Sequence, residues 1–298
     1  MNVKNAILIC FNNFMLVFKQ LIYSLIIVAV LGFSLYGITS PIVKLLDSNG
    51  WMLEVGDFVY SLYTDPKNIA TNFKDVASSF YTLFTSNFST LWGNYIVSVC
   101  LIVLVPIFTS CLANYVLGDV VNAKMNSWVN YGYANRFFST LKKNVVYSLF
   151  MTLLALPVHA CVIGLVILYG VLGKTFLLAT ILLPVLVIAI ILVLALKNTF
   201  LMWIMPICVN EETRVAKAIS KSFVLGGKNF GRAFLGSFLL YLLDFIAVMI
   251  GLFFSLGAGL IIILPAIPVV NTAFSVTSYY QSEKLRYYIN EFTIVNPR

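Results

Sequence analysis

Residues 197–243 read KNTFLMWIMPICVNEETRVAKAISKSFVLGGKNFGRAFLGSFLLYLL. This stretch leaves one apolar segment, crosses a short polar segment rich in lysine and arginine, and enters the next apolar segment. Basic residues between membrane-spanning segments collect on the cytoplasmic side. The stretch therefore predicts which side of a membrane this part of the chain faces. The orientation of the other apolar segments follows from that assignment.

The polar part of this stretch, residues 208–233, has the pattern of a cytoplasmic basic amphipathic helix. Asn210 is a favourable helix cap, and Glu211 and Glu212 would then occupy the first turn. Gly226-Gly227 predicts the end of the helix. One face would carry small and apolar residues at helical spacing, namely Val215, Ala218, Ile219 and Ser222. We expect that face to point toward the membrane interior and the basic residues to point toward water or lipid headgroups. A solvated basic loop is the alternative.

The composition is that of an integral membrane protein. Hydrophobic residues make up 61% of the 298 residues and charged residues 10%, whereas charged residues make up about 25% of an ordinary soluble domain. The net charge of +8 is explained by basic cytoplasmic loops and attraction to anionic lipid, and not by nucleic acid. The five cysteines form no CxxC pair and are interpreted as buried apolar side chains, not as a disulfide or metal framework.

Six apolar segments predict an all-α integral membrane protein with six transmembrane helices. The predicted spans cover about residues 21–38, 95–117, 145–172, 176–207, 234–254 and 260–277. Basic and aromatic stretches precede spans 1, 3 and 5, and we interpret them as interfacial amphipathic helices. Residues 41–94 are rich in aromatic side chains and predict an extracytoplasmic interfacial loop of short helices.

The charges of the connecting segments predict the orientation. Residues 118–144 carry four basic and one acidic side chain, and residues 197–232 carry six and two. Residues 41–94 carry three basic and five acidic side chains. The positive-inside rule then places both termini in the cytoplasm, with Lys174 in the tight turn Gly173-Lys174 as the exception.

A weak internal repeat accompanies this pattern. Residues 13–26 (NFMLVFKQLIYSLI) align without gaps to residues 137–150 (FFSTLKKNVVYSLF), and residues 228–243 resemble both more loosely. Three copies of a basic lead-in and a two-helix hairpin would make the chain. Chance alignment of common residue types is the alternative.

Three polar residues in the predicted spans are candidates for an intramembrane site. Asp244 lies midway along span 5, where a charge is costly unless it faces a cavity or a partner; it is either a proton or cation site or a buried acid bonded to another helix. His159 follows Pro157, which frees a backbone carbonyl that the imidazole could bond; a structural contact and a proton relay are both open. Asn198 follows Lys197 in span 4, an interruption that snorkelling of the lysine explains.

Basic side chains of the predicted cytoplasmic segments are candidates for contacts with anionic lipid headgroups. They are Lys142, Lys143, Arg214, Lys217, Lys221, Lys228 and Arg232. Other membrane protein subunits are the second class of partner that we expect. The sequence has no Walker loop, GxSxG, HExxH or acidic cluster, so we expect neither an enzyme nor a cofactor or metal site.

The stretch PICVNEETRVAKAISKSFVLGGKNFGRAF, residues 206–234, resembles a pattern found in uncharacterised bacterial multi-pass membrane proteins. That group is related to the membrane domain of glycerophosphodiester phosphodiesterases. The matching positions are Glu211, Ala218, Ser222, Gly227 and Phe230, whereas the Pro-Gly pair before the fourth helix is replaced by Pro184-Val185. The resemblance implies a six-helix protein of the cell membrane and carries over no catalytic residues.

Together these features predict a non-enzymatic protein of the bacterial cytoplasmic membrane. Its role would be that of an accessory or partner in envelope, lipid or transport physiology. The alternative is a small transporter or permease subunit with Asp244 in its pathway.

Overall fold

The computed structural model describes residues 2–65, 68–127, 132–172, 176–255 and 257–296. In chain order the helices are α1 Asn2–Asn12, α2 Met15–Ser48, α3 Trp51–Thr64, α4 Ile69–Val99, α5 Val105–Ser127, α6 Tyr133–Ser139, α7 Leu141–Leu172, α8 Phe176–Leu201, α9 Ile204–Asn210, α10 Val215–Lys228, α11 Phe230–Phe254 and α12 Leu260–Ser282. A π-helical turn, Cys100–Leu104, joins α4 to α5. Strands β1 Tyr287–Asn290 and β2 Thr293–Val295 form an antiparallel hairpin.

The prediction of an all-α protein with six membrane-spanning helices is confirmed. Within the described residues, six segments are long and apolar enough to cross a membrane: Met15–Ser48, Thr71–Ser127, Leu141–Leu172, Thr180–Asn210, Phe230–Phe254 and Leu260–Ser282. Many of their large apolar side chains are exposed. Large apolar surfaces are unfavourable in water and favourable in lipid, and soluble proteins therefore rarely expose them. The chain is therefore an integral membrane protein of the helical type.

The helices are longer than the predicted spans at residues 41–94. Most of this region, expected to be an interfacial loop, belongs to α2, α3 and α4. Pro41 does not end α2, and in the turn before it the carbonyl of Ile38 accepts a hydrogen bond of 2.9 Å from Asn94 Nδ2. The carbonyl that Pro41 deprives of a donor is that of Gly37, four residues before it, so the bond from Asn94 joins α2 to α4 and does not replace the missing one.

Aromatic side chains hold α3 against α4. Trp51 Nε1 donates to the carbonyl of Val76 at 3.1 Å, and its ring lies 5.3 Å from that of Phe80. The rings of Phe58 and Phe73 are 5.9 Å apart. The aromatic residues that suggested membrane-surface helices thus also pack two helices together. The turn expected at Gly173-Lys174 lies outside the described residues.

The chain divides into two compact units. The first comprises residues 1–27, 107–159 and 191–298, and the second comprises residues 28–106 and 160–190. The first unit contains a buried core to which α1, α5, α7, α9, α10, α11, α12 and β1 all contribute. The candidate residues of the predicted cytoplasmic segments belong to this unit, and α3 and α4 belong to the second.

The N-terminal helix is part of the core of the first unit. α1 packs along α12 and against β1. Asn5 Nδ2 donates to the hydroxyl of Tyr287 at 2.7 Å, and Asn12 Nδ2 donates to the carbonyl of Ile289 at 3.3 Å. Tyr287 is fully buried. The two ends of the chain are therefore in contact.

Within the described residues, the C-terminal hairpin contains the only β-strands, and the sequence analysis did not predict them. Tyr287–Asn290 alternates buried and half-buried side chains, as expected for a strand packed on one face. The side-chain oxygen of Asn290 accepts a hydrogen bond from the Phe292 amide at 3.0 Å and closes the turn. The residues Tyr287, Tyr288 and Ile289, all of types that favour strands, were a signal that could have indicated this strand.

Short helices precede α2, α7 and α11, the helices of predicted spans 1, 3 and 5, and each ends in the same way; their interfacial, amphipathic character stays a prediction. The side chain that follows the helix bonds to the carbonyl four residues earlier: Asn13 to Ile9 at 2.9 Å, Thr140 to Arg136 at 2.7 Å, and Asn229 to Leu225 at 3.1 Å. The last carbonyls of a helix have no partner within it, and these side chains supply donors. In the gap-free repeat Asn13 aligns with Phe137, so the breaks fall three positions apart and the repeat stays a hypothesis.

Two predictions about the central stretch are wrong. Asn210 does not begin a helix but ends α9, and its Nδ2 donates to the carbonyl of Pro206 at 2.9 Å. Glu212 has a positive φ of 50°, which reverses the chain before α10 begins at Val215. The Gly226-Gly227 pair does not stop the helix, because α10 continues to Lys228.

Gly226 allows α10 to pack closely on the end of α8. A Cβ atom at this position would lie 2.8 Å from the carbonyl oxygen of Thr199 and 2.9 Å from Cδ1 of Phe200. One turn earlier, Ser222 Oγ donates to the carbonyl of Phe200. Val215, Ala218 and Ser222 lie on the buried face of α10, as predicted. That face packs on protein, whereas it was expected to point toward the membrane.

We expect Gly226→Ala to lower the free energy of unfolding by about 1–3 kcal/mol, because α10 would have to move away from a rigid backbone carbonyl. Gly227→Ala is the matched control, since nothing lies within 4 Å of a Cβ atom there. That change should leave stability unchanged or raise it by up to about 1 kcal/mol through helix propensity. Unfolding of the purified protein in increasing dodecyl sulfate, followed by tryptophan fluorescence, measures both. Equal effects of the two substitutions would contradict the close packing at Gly226.

Candidate functional site

Exposed basic side chains lie at or near the helix ends of the first unit. Six of the seven candidate lipid contacts are exposed: Lys142 and Lys143 at the start of α7, Arg214 before α10, Lys217 and Lys228 in α10, and Arg232 at the start of α11. The rings of Tyr115 and Tyr147 lie 5.0 Å apart and join α5 to the first turns of α7, within the same unit.

Lys221, the seventh candidate, is engaged in ion pairs within the protein. Its ammonium group contacts the carboxylate of Glu211 and lies 3.8 Å from that of Glu283. The hydroxyl of Tyr279 also donates to Glu211, at 2.8 Å. These contacts tie the turn between α9 and α10 to the end of α12. A lipid headgroup would have to compete with them for Lys221, so its main role is to position α10.

Acidic side chains beside the basic segments are paired in the same manner. Asp119, which is mostly buried, lies 3.2 Å from Nη1 of Arg136, and this pair joins α5 to α6. Asp119, Glu211 and Glu283 therefore use two basic side chains between them, and most of the remaining basic residues are exposed. The outcome is a positively charged surface, which is what anionic headgroups require.

The environment of Glu211 favours its charged form. Partial burial opposes ionisation, but the hydrogen bonds from Lys221 and Tyr279 and the charges of Lys221 and Lys217 outweigh it and lower the pKa of Glu211. The hydrogen bond to Glu211 in turn raises the pKa of Lys221. Both shifts indicate that the pair is ionised at neutral pH.

We expect the contact between α10 and α12 to weaken in acid. Because the folded-state pKa of Glu211 is lowered, its contribution is complete above the unfolded-state value, about 4.3, and is lost as pH falls through the folded-state value. Both partners are partly exposed, so the loss should be only about 0.5–1 kcal/mol. The measurement compares unfolding at neutral and acid pH in the wild type and in Glu211→Gln, which should lack this loss. Glu212→Gln, at an exposed neighbouring position, should behave as wild type. Equal losses of unfolding free energy in acid in all three proteins would contradict the assignment to Glu211.

The intramembrane candidate Asp244 bonds to a neighbouring helix. Its Oδ2 accepts a hydrogen bond of 3.0 Å from Asn271 Nδ2, which joins α11 to α12. The other polar atom of that amide, Asn271 Oδ1, is buried and has no partner among the described residues. A protonated Asp244 could return a hydrogen bond to it, whereas a carboxylate only accepts. The geometry favours the alternative in which Asp244 is a helix–helix contact.

Asn198 and His159 also have local partners. Asn198 Nδ2 donates to Ser237 Oγ at 3.0 Å and joins α8 to α11. His159 Nδ1 lies 2.8 Å from the carbonyl of Ala155 in its own helix. The carbonyl that Pro157 deprives of a donor is that of Leu153, four residues before it, so the imidazole bonds to a different one. The hydrogen bonds of the described residues do not bring the three candidates together.

Replacing Asp244 tests its role as a contact between helices. In Asp244→Asn the new amide can both accept from Asn271 and donate to it, so stability should be retained. Asp244→Leu leaves the Asn271 amide unpaired and should lower the free energy of unfolding by about 1 kcal/mol, as is typical of hydrogen bonds between membrane helices. Unfolding in dodecyl sulfate again gives both values. An Asn variant as unstable as the Leu variant would show that the acid itself is required.

The residues that sequence reasoning missed are those whose partners are distant in the chain. Glu211 was assigned to a helix N-terminus, and Tyr279 lies just beyond the last predicted span, yet the two are hydrogen-bonded. No local pattern in the sequence relates them. Within the described ranges, no group of three or more His, Cys, Asp or Glu side chains lies close enough to hold a metal ion.

Comparison with models of protein families, with curated proteins and with solved structures finds no match to this chain. Its function therefore has to be inferred from its own residues.

Proposed function

We propose that this chain is a non-enzymatic accessory protein of a bacterial cytoplasmic membrane whose basic surface contacts anionic lipid. The observation that carries the proposal is the division of charge in the first unit. Asp119, Glu211 and Glu283 are paired within the protein, whereas six of the seven candidate basic side chains are exposed. Among the described residues of this unit, exposed basic side chains outnumber the exposed acids, Glu212 and Glu291, which makes a surface suited to anionic headgroups.

The energy available to such a surface is substantial. A lysine or arginine close to an anionic leaflet contributes about 1 kcal/mol, falling off within a Debye length. The exposed candidates lie at or near the ends of α7, α10 and α11, where membrane helices meet the headgroup region. Their charge is therefore positioned to attract lipid and not nucleic acid.

The orientation proposed for the chain draws support from the contact between its ends. α1 packs against α12 and β1, which supports a topology with the N-terminal and C-terminal segments on the same side of a membrane. An even number of crossings requires this arrangement. The charge rule assigns that side to the cytoplasm. Kinship with the membrane domain of glycerophosphodiester phosphodiesterases remains part of this proposal.

An accessory role in envelope, lipid or transport physiology follows if the surface also receives another membrane protein subunit. The alternative, a small transporter, would need Asp244 to face a path through the membrane. Its hydrogen bond to Asn271 gives it a structural role first. We therefore retain transport as the second hypothesis.

The proposal predicts that the protein retains anionic lipid through its exposed lysines. Extracted in mild detergent from membranes that contain phosphatidylglycerol and phosphatidylethanolamine, the wild type should be enriched in the anionic lipid. Lys142→Gln combined with Lys143→Gln should lower the ratio of the two lipids about twofold, and adding Arg214→Gln and Lys217→Gln should lower it further. Mass spectrometry of the co-purified lipids measures the ratio.

The matched control is Lys44→Gln combined with Lys74→Gln, which removes two exposed lysines from the region predicted to lie on the opposite side. This pair should leave the ratio unchanged. If both pairs act equally, or if neither acts, the basic surface of the first unit does not select lipid.

A further inference from the structure

An open cleft of about 460 Å³ lies in the first unit, where α1 gives way to α2 beside the end of α5. Its walls include Phe14 and Met15 at the start of α2, Lys19 one turn further along, and Val120 and Lys124 of α5. Neither lysine was among the candidates suggested by the sequence. The cleft is small enough to surround a headgroup and open enough to admit one from outside.

The chain holds one wall of the cleft in place through Asn13. This side chain is only 4% exposed. Its Nδ2 donates to the carbonyl of Ile9, and its Oδ1 accepts from the ammonium group of Lys124. The bond fixes Lys124 at the junction of α1 and α2. Lys124 is thus a positioned charge, unlike a lysine on an open surface.

Two basic side chains, Lys19 and Lys124, line the same cleft. No aspartate or glutamate is among the described residues that line its walls. Like charges that share a site of reduced dielectric repel one another, and an anion placed between them removes that cost. The chemistry of the walls therefore calls for an anionic ligand.

The rim beside these lysines is apolar and exposed. Met15 is 68% exposed and Phe14 36%, and the ring of Phe14 lies 5.5 Å from that of Phe18 on the same helix. An inorganic anion would make no use of such a rim. A molecule with a negatively charged head and hydrocarbon chains would contact the lysines and the aromatic residues together.

We propose that this cleft binds one anionic phospholipid, with its phosphate between Lys19 and Lys124 and its acyl chains against Phe14 and Met15. The inference rests on the proposed function, because it needs this end of the first unit to meet an anionic leaflet. It goes further by assigning a saturable site with one ligand. The exposed lysines of α7 and α10 would instead attract lipid diffusely.

Native mass spectrometry of the full-length protein in detergent tests the site, with short-chain phosphatidylglycerol as the probe. The wild type should bind one equivalent in a saturable manner, and Lys19→Gln should weaken this binding about fivefold, the effect of one interfacial lysine. Lys4→Gln removes an exposed lysine from α1 and is the control. Lys19 is preferred to Lys124 for the test because Lys124 also holds Asn13. Unchanged affinity in Lys19→Gln would overturn the proposal.

Two further probes identify the source of the phosphate. Short-chain phosphatidylcholine carries no net charge and should bind at least about fivefold more weakly than phosphatidylglycerol. Inorganic phosphate should not compete at equal concentration, because it lacks acyl chains; equal competition would assign the cleft to free phosphate and overturn the lipid assignment.

The variant Lys142→Gln combined with Lys143→Gln separates this inference from the proposed function. It should lower diffuse lipid enrichment and leave the single equivalent bound. If enrichment persists in that variant while Lys19→Gln loses its equivalent, the proposed function fails and the cleft stands. If the Lys142/Lys143 variant lost the single equivalent while Lys19→Gln kept it, the assignment of the lipid site to the cleft would be overturned.

Discussion

Unpaired carbonyl groups at the ends of helices are the constraint on which the first unit depends. The last carbonyls of every helix lack partners within it, and in apolar surroundings water cannot supply them. The chain solves this repeatedly with short polar side chains. Asn13, Thr140, Asn210 and Asn229 each bond to a carbonyl four residues earlier. At the end of α8 the donors are Trp203, for the carbonyl of Thr199, and Ser222, for that of Phe200. Because Ser222 belongs to α10, satisfying α8 also determines where the next helix lies.

The charge pattern follows from that placement. Once α10 lies over the end of α8, Lys221 can reach Glu211 and Glu283, and the hydroxyl of Tyr279 completes the group. The acids are thereby used inside the protein, and Lys217 and Lys228 of the same helix are left exposed. A basic outer surface is thus a consequence of how helix ends are closed and does not require a separate set of lysines. The same logic applies at Asn13, which closes α1 and at the same time positions Lys124.

The six spans could be predicted from the sequence because about 20 consecutive apolar residues have few other uses. Details that depend on a partner could not. Asn210 is a good residue at either end of a helix. Its bond to the carbonyl of Pro206 shows that it ends one, and the hydroxyl of Tyr280, 3.4 Å from the Asn210 side-chain oxygen, is a partner that the sequence does not reveal. Gly226 resembles a helix stop until the carbonyl of Thr199 is seen beside it. The aromatic residues of residues 41–94 are equally suited to a membrane surface and to the contact between α3 and α4. Asp244 could be identified as unusual, but its partner, Asn271, is recognisable only in three dimensions.

The contact between α1 and the C-terminal hairpin bears on how the protein is made. Asn5 and Tyr287 are 282 positions apart, so the first helix leaves the ribosome long before its partner is synthesised. During that interval the amide of Asn5 lacks its partner, the hydroxyl of Tyr287, and the face of α1 that β1 will cover stays open. The membrane helices can be inserted one after another as they emerge, but the core of the first unit closes only when the hairpin arrives. Insertion and assembly are therefore separate stages for this chain, and the second stage waits for the last strands.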